Sequence, residues 1–370
     1  MEYIKLGKNN VSRLGFGCMR LPEKNGKIDD NEALKMAEYA INNGLNYFDT
    51  AYAYHSGESE IFISKVIKAF GRDKIFIADK LPLWHCQSTS DMQRLLDEQL
   101  TKLGTDYLDY YLMHSLYDET WAKLKSFNYQ DFIKTNLDNG KIKHIGFSFH
   151  DDYPLFKEII DDYPWDFCQI QFNYVDTDYQ AGLKGYEYAT KKGIPIIIME
   201  PIRGGVLASI PPSVRAIFDN SSLKKHSNAE IALKYVANYE NNYVILSGMH
   251  QMSDVEENIK LFSIPLVNQL TKEELNTYLK ARAAFYEHNL IKCTACHYCR
   301  EGCPLHIPIC KIFMHYNNQI QNPDFDNFSI YKELKPKATK CIACGTCEGV
   351  CPQKIKIIDE LKRVNQYFER

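Results

Sequence analysis

Ile194-Pro195-Ile196-Ile197-Ile198 is a run without a polar side chain, and its reading decides the fold. A half-exposed strand alternates apolar and polar residues, whereas a strand that is apolar throughout belongs in a parallel sheet covered on both faces. Outward from this run, segments of strand length alternate with segments whose apolar residues recur every three or four positions. Strands are expected at Leu14–Gly17, Tyr47–Asp49, Ile75–Lys80, Leu108–His114, His144–Ser148, Phe167–Phe172, Pro195–Glu200 and Tyr243–Ser247. Helices are expected at Asn31–Asn42, Glu58–Phe70, Asp91–Leu103, Glu119–Asn139, Tyr153–Ile160, Ala181–Lys191, Asn228–Tyr239 and Ser253–Leu261, after an opening hairpin that turns at Asn9-Asn10. Eight strand–helix units in about 250 residues predict an α/β fold, a closed (β/α)8 TIM barrel. An open doubly wound sheet is the alternative.

The chain has 370 residues, enough for two domains of about 150 each. With 45% apolar and 25% charged residues it can bury a large core, which excludes wholesale disorder. A formal charge of −3 gives no global positive field for nucleic acid or an anionic membrane and favours a small-molecule substrate. No apolar run approaches the ~18 residues of a membrane span, and Met1–Asn10 lacks the apolar core of a signal peptide, so a cytoplasmic location is expected. Residues 1–285 hold three cysteines, Cys18, Cys86 and Cys168, and residues 286–370 hold nine. The barrel is therefore expected over 1–285 and a second domain over 286–370. Cysteines that follow a large segment with its own core and no secretory signal read as metal ligands rather than disulfides.

Barrel enzymes keep their chemistry at the C-terminal ends of the strands. There the sequence places Asp49, followed within Phe48-Asp49-Thr50-Ala51-Tyr52-Ala53-Tyr54 by Tyr54, then Lys80 closing the third strand and His114 closing the fourth. Each alone reads as a half-buried ring or a solvated strand end; four at one barrel mouth read as a site. The segment D-T-A-x-x-Y with the following Lys and His resembles the catalytic tetrad of the aldo-keto reductase family, and the resemblance covers about residues 1–270. It implies that Ser148, Gln169, Met199, Gly248, Glu257 and Asn258 lie where that family contacts its nicotinamide dinucleotide, NAD(P)H, and the guanidinium of Arg203 is a further candidate for the cofactor's anionic group. Carbonyl reduction by hydride needs a proton on the developing alkoxide, for which Tyr54 is the donor. Lys80 is expected to lower the phenol pKa, Asp49 to hold the ammonium and His114 to orient the carbonyl.

The sequence departs from the family in four places. Phe149 follows Ser148 where an asparagine usually binds the nicotinamide amide. Gly248 and Asp254 stand where NADP-preferring members carry cations for the 2'-phosphate, and Met199 replaces an aromatic platform. Arg203-Gly204-Gly205 serves either an anionic group or an ordinary turn. Gly15-Phe16-Gly17 lacks the third glycine of a dinucleotide loop and no G-x-x-x-x-G-K-[ST] occurs, which argues against a kinase or NTPase. Tyr52, Trp84, His85, Phe149 and Tyr174 are expected to crowd the mouth and favour a flat substrate.

The last 85 residues repeat one string: Cys293-x2-Cys296-x2-Cys299-x3-Cys303-Pro304, then Cys341-x2-Cys344-x2-Cys347-x3-Cys351-Pro352. Zinc needs only paired cysteines and gives no reason for the third cysteine or for the Cys-Pro. The strings resemble a bacterial-type dicluster ferredoxin with two [4Fe-4S] clusters. That resemblance implies Cys293, Cys296, Cys299 and Cys351 for one cluster and Cys341, Cys344, Cys347 and Cys303 for the other. Helical spacing from Ile309 to Gln319 predicts a helical module, and Cys310, outside both strings, reads as a buried thiol.

Nicotinamides move two electrons as hydride and clusters move one, so joining them normally calls for a flavin such as FMN. Three functions therefore stand. One is an aldo-keto reductase-type enzyme using NAD(P)H, with clusters that are structural or admit electrons. The second is a ferredoxin-coupled reductase, served by a redox partner protein, with a flavin or no organic cofactor in its barrel. The third is a non-catalytic electron-relay subunit, against which the retained tetrad speaks.

Overall fold

In the computed structural model, which describes residues 1–369, eight parallel strands close into a barrel in chain order. They are β1 (Leu14–Gly17), β2 (Tyr47–Asp49), β3 (Phe76–Leu81), β4 (Leu108–Leu116), β5 (Ile142–Phe149), β6 (Phe167–Gln171), β7 (Ile196–Met199) and β8 (Asn242–Ser247). The last strand pairs with the first, Ile245 opposite Leu14, which closes the ring and excludes the open sheet. Every residue of β1, β2, β4 and β6 is buried, as strands covered on both faces require.

A hairpin, Tyr3–Leu6 with Asn9–Ser12, plugs the N-terminal end. Its Leu6 and Val11 pack with Tyr47, Tyr110, Phe167 and Ile197 inside the barrel. The turn falls at Gly7-Lys8 and not at the asparagines, because Gly7 takes a φ of +62° at no Cβ cost. Asn9 instead donates to the Tyr110 hydroxyl at 3.0 Å, and that hydroxyl donates to the Leu6 carbonyl at 3.1 Å. The one helix expected at Glu119–Asn139 is two, Asp118–Ser126 and Tyr129–Asp138. Phe127 is extended between them, and the Asn128 N–H leaves the helical ladder for Thr89 Oγ1 at 3.2 Å.

The chain forms two compact units, one of residues 1–201 with 233–269, the other of 202–232 with 270 onward. Cysteine count put the division at 285/286; packing divides the chain otherwise. Helix Lys272–Glu287 lies on helix Pro212–Asp219, with Phe218 and Tyr278 ring centroids 5.5 Å apart. The Tyr278 hydroxyl donates to the Ile231 carbonyl at 2.8 Å, tying the excursion after β7 into the second unit. That unit is helical around its ligand loops. Ile309–Gln321 matches the expected helix, and Ile357–Phe368 buries Ile357, Leu361, Val364 and Phe368 along one face. Phe368 stacks on Tyr331 at 4.4 Å. Among the described residues no helix is long and apolar enough to cross a membrane.

Successive residues of β3 point to opposite faces, Lys80 into the barrel and Asp79 toward the helices. Asp79 is wholly buried, and burial, with the charge of Glu60 next, pushes its pKa well above the carboxylate range. Glu60 remains the better anion, accepting from Gln99 at 3.1 Å and Lys102 at 3.2 Å. An acid raised in the folded state contributes stability below its unfolded pKa and loses it as pH climbs toward the folded value. Asp79→Asn, which copies the protonated acid, should therefore be increasingly stabilised over wild type as pH rises from about 5 to 9, by on the order of 1–3 kcal/mol. Thermal melts across that range check it; a difference independent of pH would show that Asp79 is ionised throughout.

Candidate active site and cluster cavities

Asp49 ends β2, Lys80 is the last but one residue of β3 and His114 lies two residues before the end of β4, so the three stand at the C-terminal ends of adjacent strands, and all are buried. The β2 end is fixed by backbone bonds on either side, Cys18 N–H to Asp49 O at 2.8 Å and Thr50 N–H to Ala78 O at 2.9 Å. Tyr54 starts a short 3-10 turn, Tyr54–Gly57, in which His55 and Ser56 hold positive φ values of 50° and 54°. Such left-handed backbone costs energy outside glycine and persists where its surroundings over-determine it. Here the His55 ring accepts the Leu21 N–H at 3.1 Å and meets Glu23 at 2.9 Å, clamping the loop that aims Tyr54.

Lys80 Nζ joins the group: it donates to Asp49 Oδ1 at 2.7 Å, to the Thr50 carbonyl at 2.7 Å and to the Tyr54 hydroxyl at 3.3 Å. The Tyr54 and His114 rings meet edge-on at 6.3 Å, and Trp84, 40% exposed, lies 4.9 Å from His114. Burial, followed by the Lys80 charge, drives the His114 pKa well down, so this imidazole is neutral. The Tyr54 phenol goes the opposite way from the sequence expectation. Burial, then the Asp49 charge, raises it well above the ordinary phenol value. With Asp49 only 2.7 Å from the ammonium, the pair offers the phenol little net positive field, and desolvation of a phenolate dominates. Tyr54 is held as a protonated donor.

The nicotinamide positions divide. In β5, Ser148 points inward and its Oγ accepts the Ser115 N–H at 2.7 Å, while Phe149 points outward onto Phe156 at 5.2 Å. Phe149 therefore lines no mouth. Tyr174 is buried near Tyr235, Tyr52 is held by Glu98 at 2.9 Å under Lys102, His85 lies 5.4 Å from Tyr52 and 6.0 Å from Trp84, and Trp84 meets His114 of the tetrad. Gln169 on β6 lies 3.6 Å from the Met199 sulfur, and its Oε1 is buried without a hydrogen bond. An orphaned buried acceptor at that place fits a carboxamide N–H of a bound nicotinamide. Gly248 has a packing reason, since a Cβ would sit 2.9 Å from the Arg20 stem. Asp254 caps its own helix, Met252–Leu261, taking the His250 N–H at 3.0 Å and the Gln251 N–H at 3.3 Å. Asn258 is buried and donates to Ser247 Oγ at 2.9 Å, and Glu257 is half-buried on the same helix. Arg203 belongs to the second unit, buried with its guanidinium 5.5 Å from the Phe285 ring. Beside it Gly204, φ +63°, lies so close to Thr294 that a Cβ would come within 2.4 Å of its carbonyl oxygen. The triplet's shape answers to that approach.

In the second unit the eight string cysteines line two cavities. Cys293, Cys296, Cys299 and Cys351 share one, and Cys303, Cys341, Cys344 and Cys347 share the other. Among the described residues no three His, Cys, Asp or Glu side chains close around a single ion. Each copy repeats the same left-handed positions: Ala295, His297 and His306 in the first, Ala343, Gly345 and Lys354 in the second. Such turns face successive N–H groups into a concavity suited to an anionic cluster, and the Ala295 N–H already donates to Cys293 Sγ at 3.4 Å. Thiol set and backbone cradle fit an iron-sulfur cube. Sequence reasoning missed Cys310, which is buried but lines the first cavity with its sulfur 3.6 Å from that of Cys299.

Two family models match the chain in succession. The model of the Aldo/keto reductase family matches residues 13–276, and that of the 4Fe-4S dicluster domain matches residues 292–356. A probable aldo-keto reductase 1 of Glycine max is 25% identical over 74% of this chain and 88% of its own. An L-galactose dehydrogenase of Arabidopsis thaliana is 26% identical over 67% of this chain and 83% of its own. The holo form of aldo-keto reductase AKR11C1 from Bacillus halodurans shares the fold, with a TM-score of 0.63 at 21% identity, covering 76% of this chain and 96% of that one.

Proposed function

Because the chain belongs to the aldo/keto reductase family and carries a 4Fe-4S dicluster domain, we propose that it is an oxidoreductase whose barrel reduces the carbonyl of a small molecule with NAD(P)H. The observation that carries the reading is the Lys80 ammonium, which holds Asp49 and the Tyr54 hydroxyl at once in a buried mouth. A bound nicotinamide dinucleotide supplies a hydride. Gln169, whose buried Oε1 has no hydrogen bond of its own, would hold the carboxamide of that cofactor. Neutral His114 orients the carbonyl oxygen by donating an N–H, and Tyr54 gives that oxygen its proton as negative charge develops there. Lys80 keeps its hydrogen bond to the Tyr54 oxygen at 3.3 Å and so holds the donor in position, while Asp49 and the Thr50 carbonyl keep the ammonium in place. Trp84 beside His114 offers a planar face to the substrate. The two thiol sets of the second unit are proposed to hold one [4Fe-4S] cluster each, which store and pass single electrons.

The test is anaerobic oxidation of NADH and NADPH against aldehydes, ketones and quinones, with the alcohol identified as product. Asp254, a carboxylate in the first turn of its helix, supports faster turnover with NADH, since it repels a 2'-phosphate. Oxidation that yields no alcohol with any carbonyl would move the weight to the ferredoxin-coupled reading.

The pH profile is a separate prediction. A histidine lowered well below 6.5 stays neutral through the acid side, and a phenol raised above 10 stays protonated through the alkaline side. At saturating cofactor, kcat for carbonyl reduction should be flat from about pH 6 to 9. A limb titrating near pH 7 or 8.5 would assign the acid to another group.

A further inference from the structure

The cavity of Cys303, Cys341, Cys344 and Cys347 opens at the surface. Cys344 is exposed, and Ile342 and Leu305, which line the same cavity, are 63% and 39% exposed. Apolar side chains held in water at the rim of a redox site mark an interaction surface. Charge is the second observation. From Tyr331 to Lys356 the chain carries six lysines against Glu333 and Glu348, within a protein of net charge −3. Lys337 pairs with Glu369, whereas exposed Lys340 ends the turn that leads directly into Cys341 and Ile342.

We propose that this face docks an acidic one-electron carrier protein, which delivers electrons singly to the cluster of this cavity. The inference rests on that cavity holding a cluster and is independent of the carbonyl chemistry in the barrel. Leu305 and Ile342 exclude water where the two redox centres approach, and the lysines steer an anionic surface onto them, as suits a brief encounter that must also release. The step moves one electron and no atoms: the carrier is oxidised by one electron as the cluster passes from the 2+ to the 1+ state.

Flavodoxin is a suitable probe, because its anionic hydroquinone becomes a neutral semiquinone on losing one electron. With the full-length, cluster-loaded protein under anaerobic conditions, stopped-flow bleaching of cluster absorbance should follow flavodoxin concentration and slow as salt rises. Ile342→Glu and Lys340→Glu should each slow it about tenfold at low salt, with a matching loss of affinity for oxidised flavodoxin by calorimetry. Lys340→Glu should leave bleaching by dithionite and carbonyl reduction at wild-type rates. Unchanged flavodoxin rates and affinities in both variants, with dithionite bleaching intact, overturn the docking surface. A wild-type protein that dithionite fails to bleach removes the cluster itself. A dimer that Ile342→Glu dissolves assigns the face to a second copy of the chain and overturns the proposal.

Discussion

Tyr54→Phe is expected to lower kcat for carbonyl reduction by roughly 10²–10⁴-fold, the range of a general acid, while NAD(P)H affinity stays close to wild type. The phenol proton is needed only where charge develops on the substrate oxygen, so its loss falls on the chemical step. The ring itself is retained, and with it the packing against His114 at 6.3 Å. Single-turnover traces of NADH oxidation separate chemistry from binding, and titration of cofactor fluorescence reports affinity. Lys80→Met should act in the same direction, through loss of the hydrogen bond at 3.3 Å that positions the Tyr54 hydroxyl. It also strands Asp49, buried and 2.7 Å from the missing ammonium, so this variant should melt earlier. Tyr54→Phe isolates the proton transfer without that cost. Wild-type turnover in Tyr54→Phe would refute the tetrad and point to the flavin-containing or relay alternatives, which extraction and mass measurement of any organic cofactor would separate.

The sequence made the barrel legible because a buried parallel strand and an amphipathic helix leave different periods. Both survive in single segments such as Ile194–Ile198 and Glu58–Phe70. The tetrad was legible for a related reason, since strand ends are where polar residues interrupt those periods. Facing was harder. Ser148 and Phe149 are neighbours, and only the register of β5 decides that the serine enters the barrel while the phenylalanine packs on Phe156. Long-range packing left no local trace at all: nothing in the composition of 202–232 says that Ile231 meets Tyr278 or that Gly204 meets Thr294. The sign of the Tyr54 shift was not legible because burial of the phenol, the largest cause, shows only in the folded chain, with the Asp49 charge next. In the cysteine strings the ligand types were plain from spacing, but the matched left-handed turns at Ala295 and Ala343 were not. Alanine carries no signal for positive φ, and the surroundings impose it.

Pairing of the thiols across the two strings sets the other large effect. Each cavity takes three cysteines from one copy and the cysteine before proline from the other, Cys351 joining Cys293 and Cys303 joining Cys341. The wild-type chain should carry about eight iron and eight acid-labile sulfide, as two four-iron cubes require. Cys351→Ala and Cys293→Ala, distant in sequence, should each lose about four irons, and the double variant should lose no more than either alone, because both remove ligands of one cube. Cys293→Ala with Cys341→Ala, although they are equivalent positions of the two copies, should lose nearly all of it. Iron analysis and low-temperature EPR of the reduced proteins read both outcomes. Cys310 bears on the first pair alone: with its sulfur 3.6 Å from Cys299, it is placed to replace a missing neighbour, so Cys310→Ala in the Cys293→Ala background guards against a partial rescue. Should Cys293→Ala and Cys351→Ala strip different cubes, each string would bind its own metal. The Cys-Pro that ends each copy would then close its own loop instead of the other's. Zinc in place of iron after anaerobic purification would reject both arrangements.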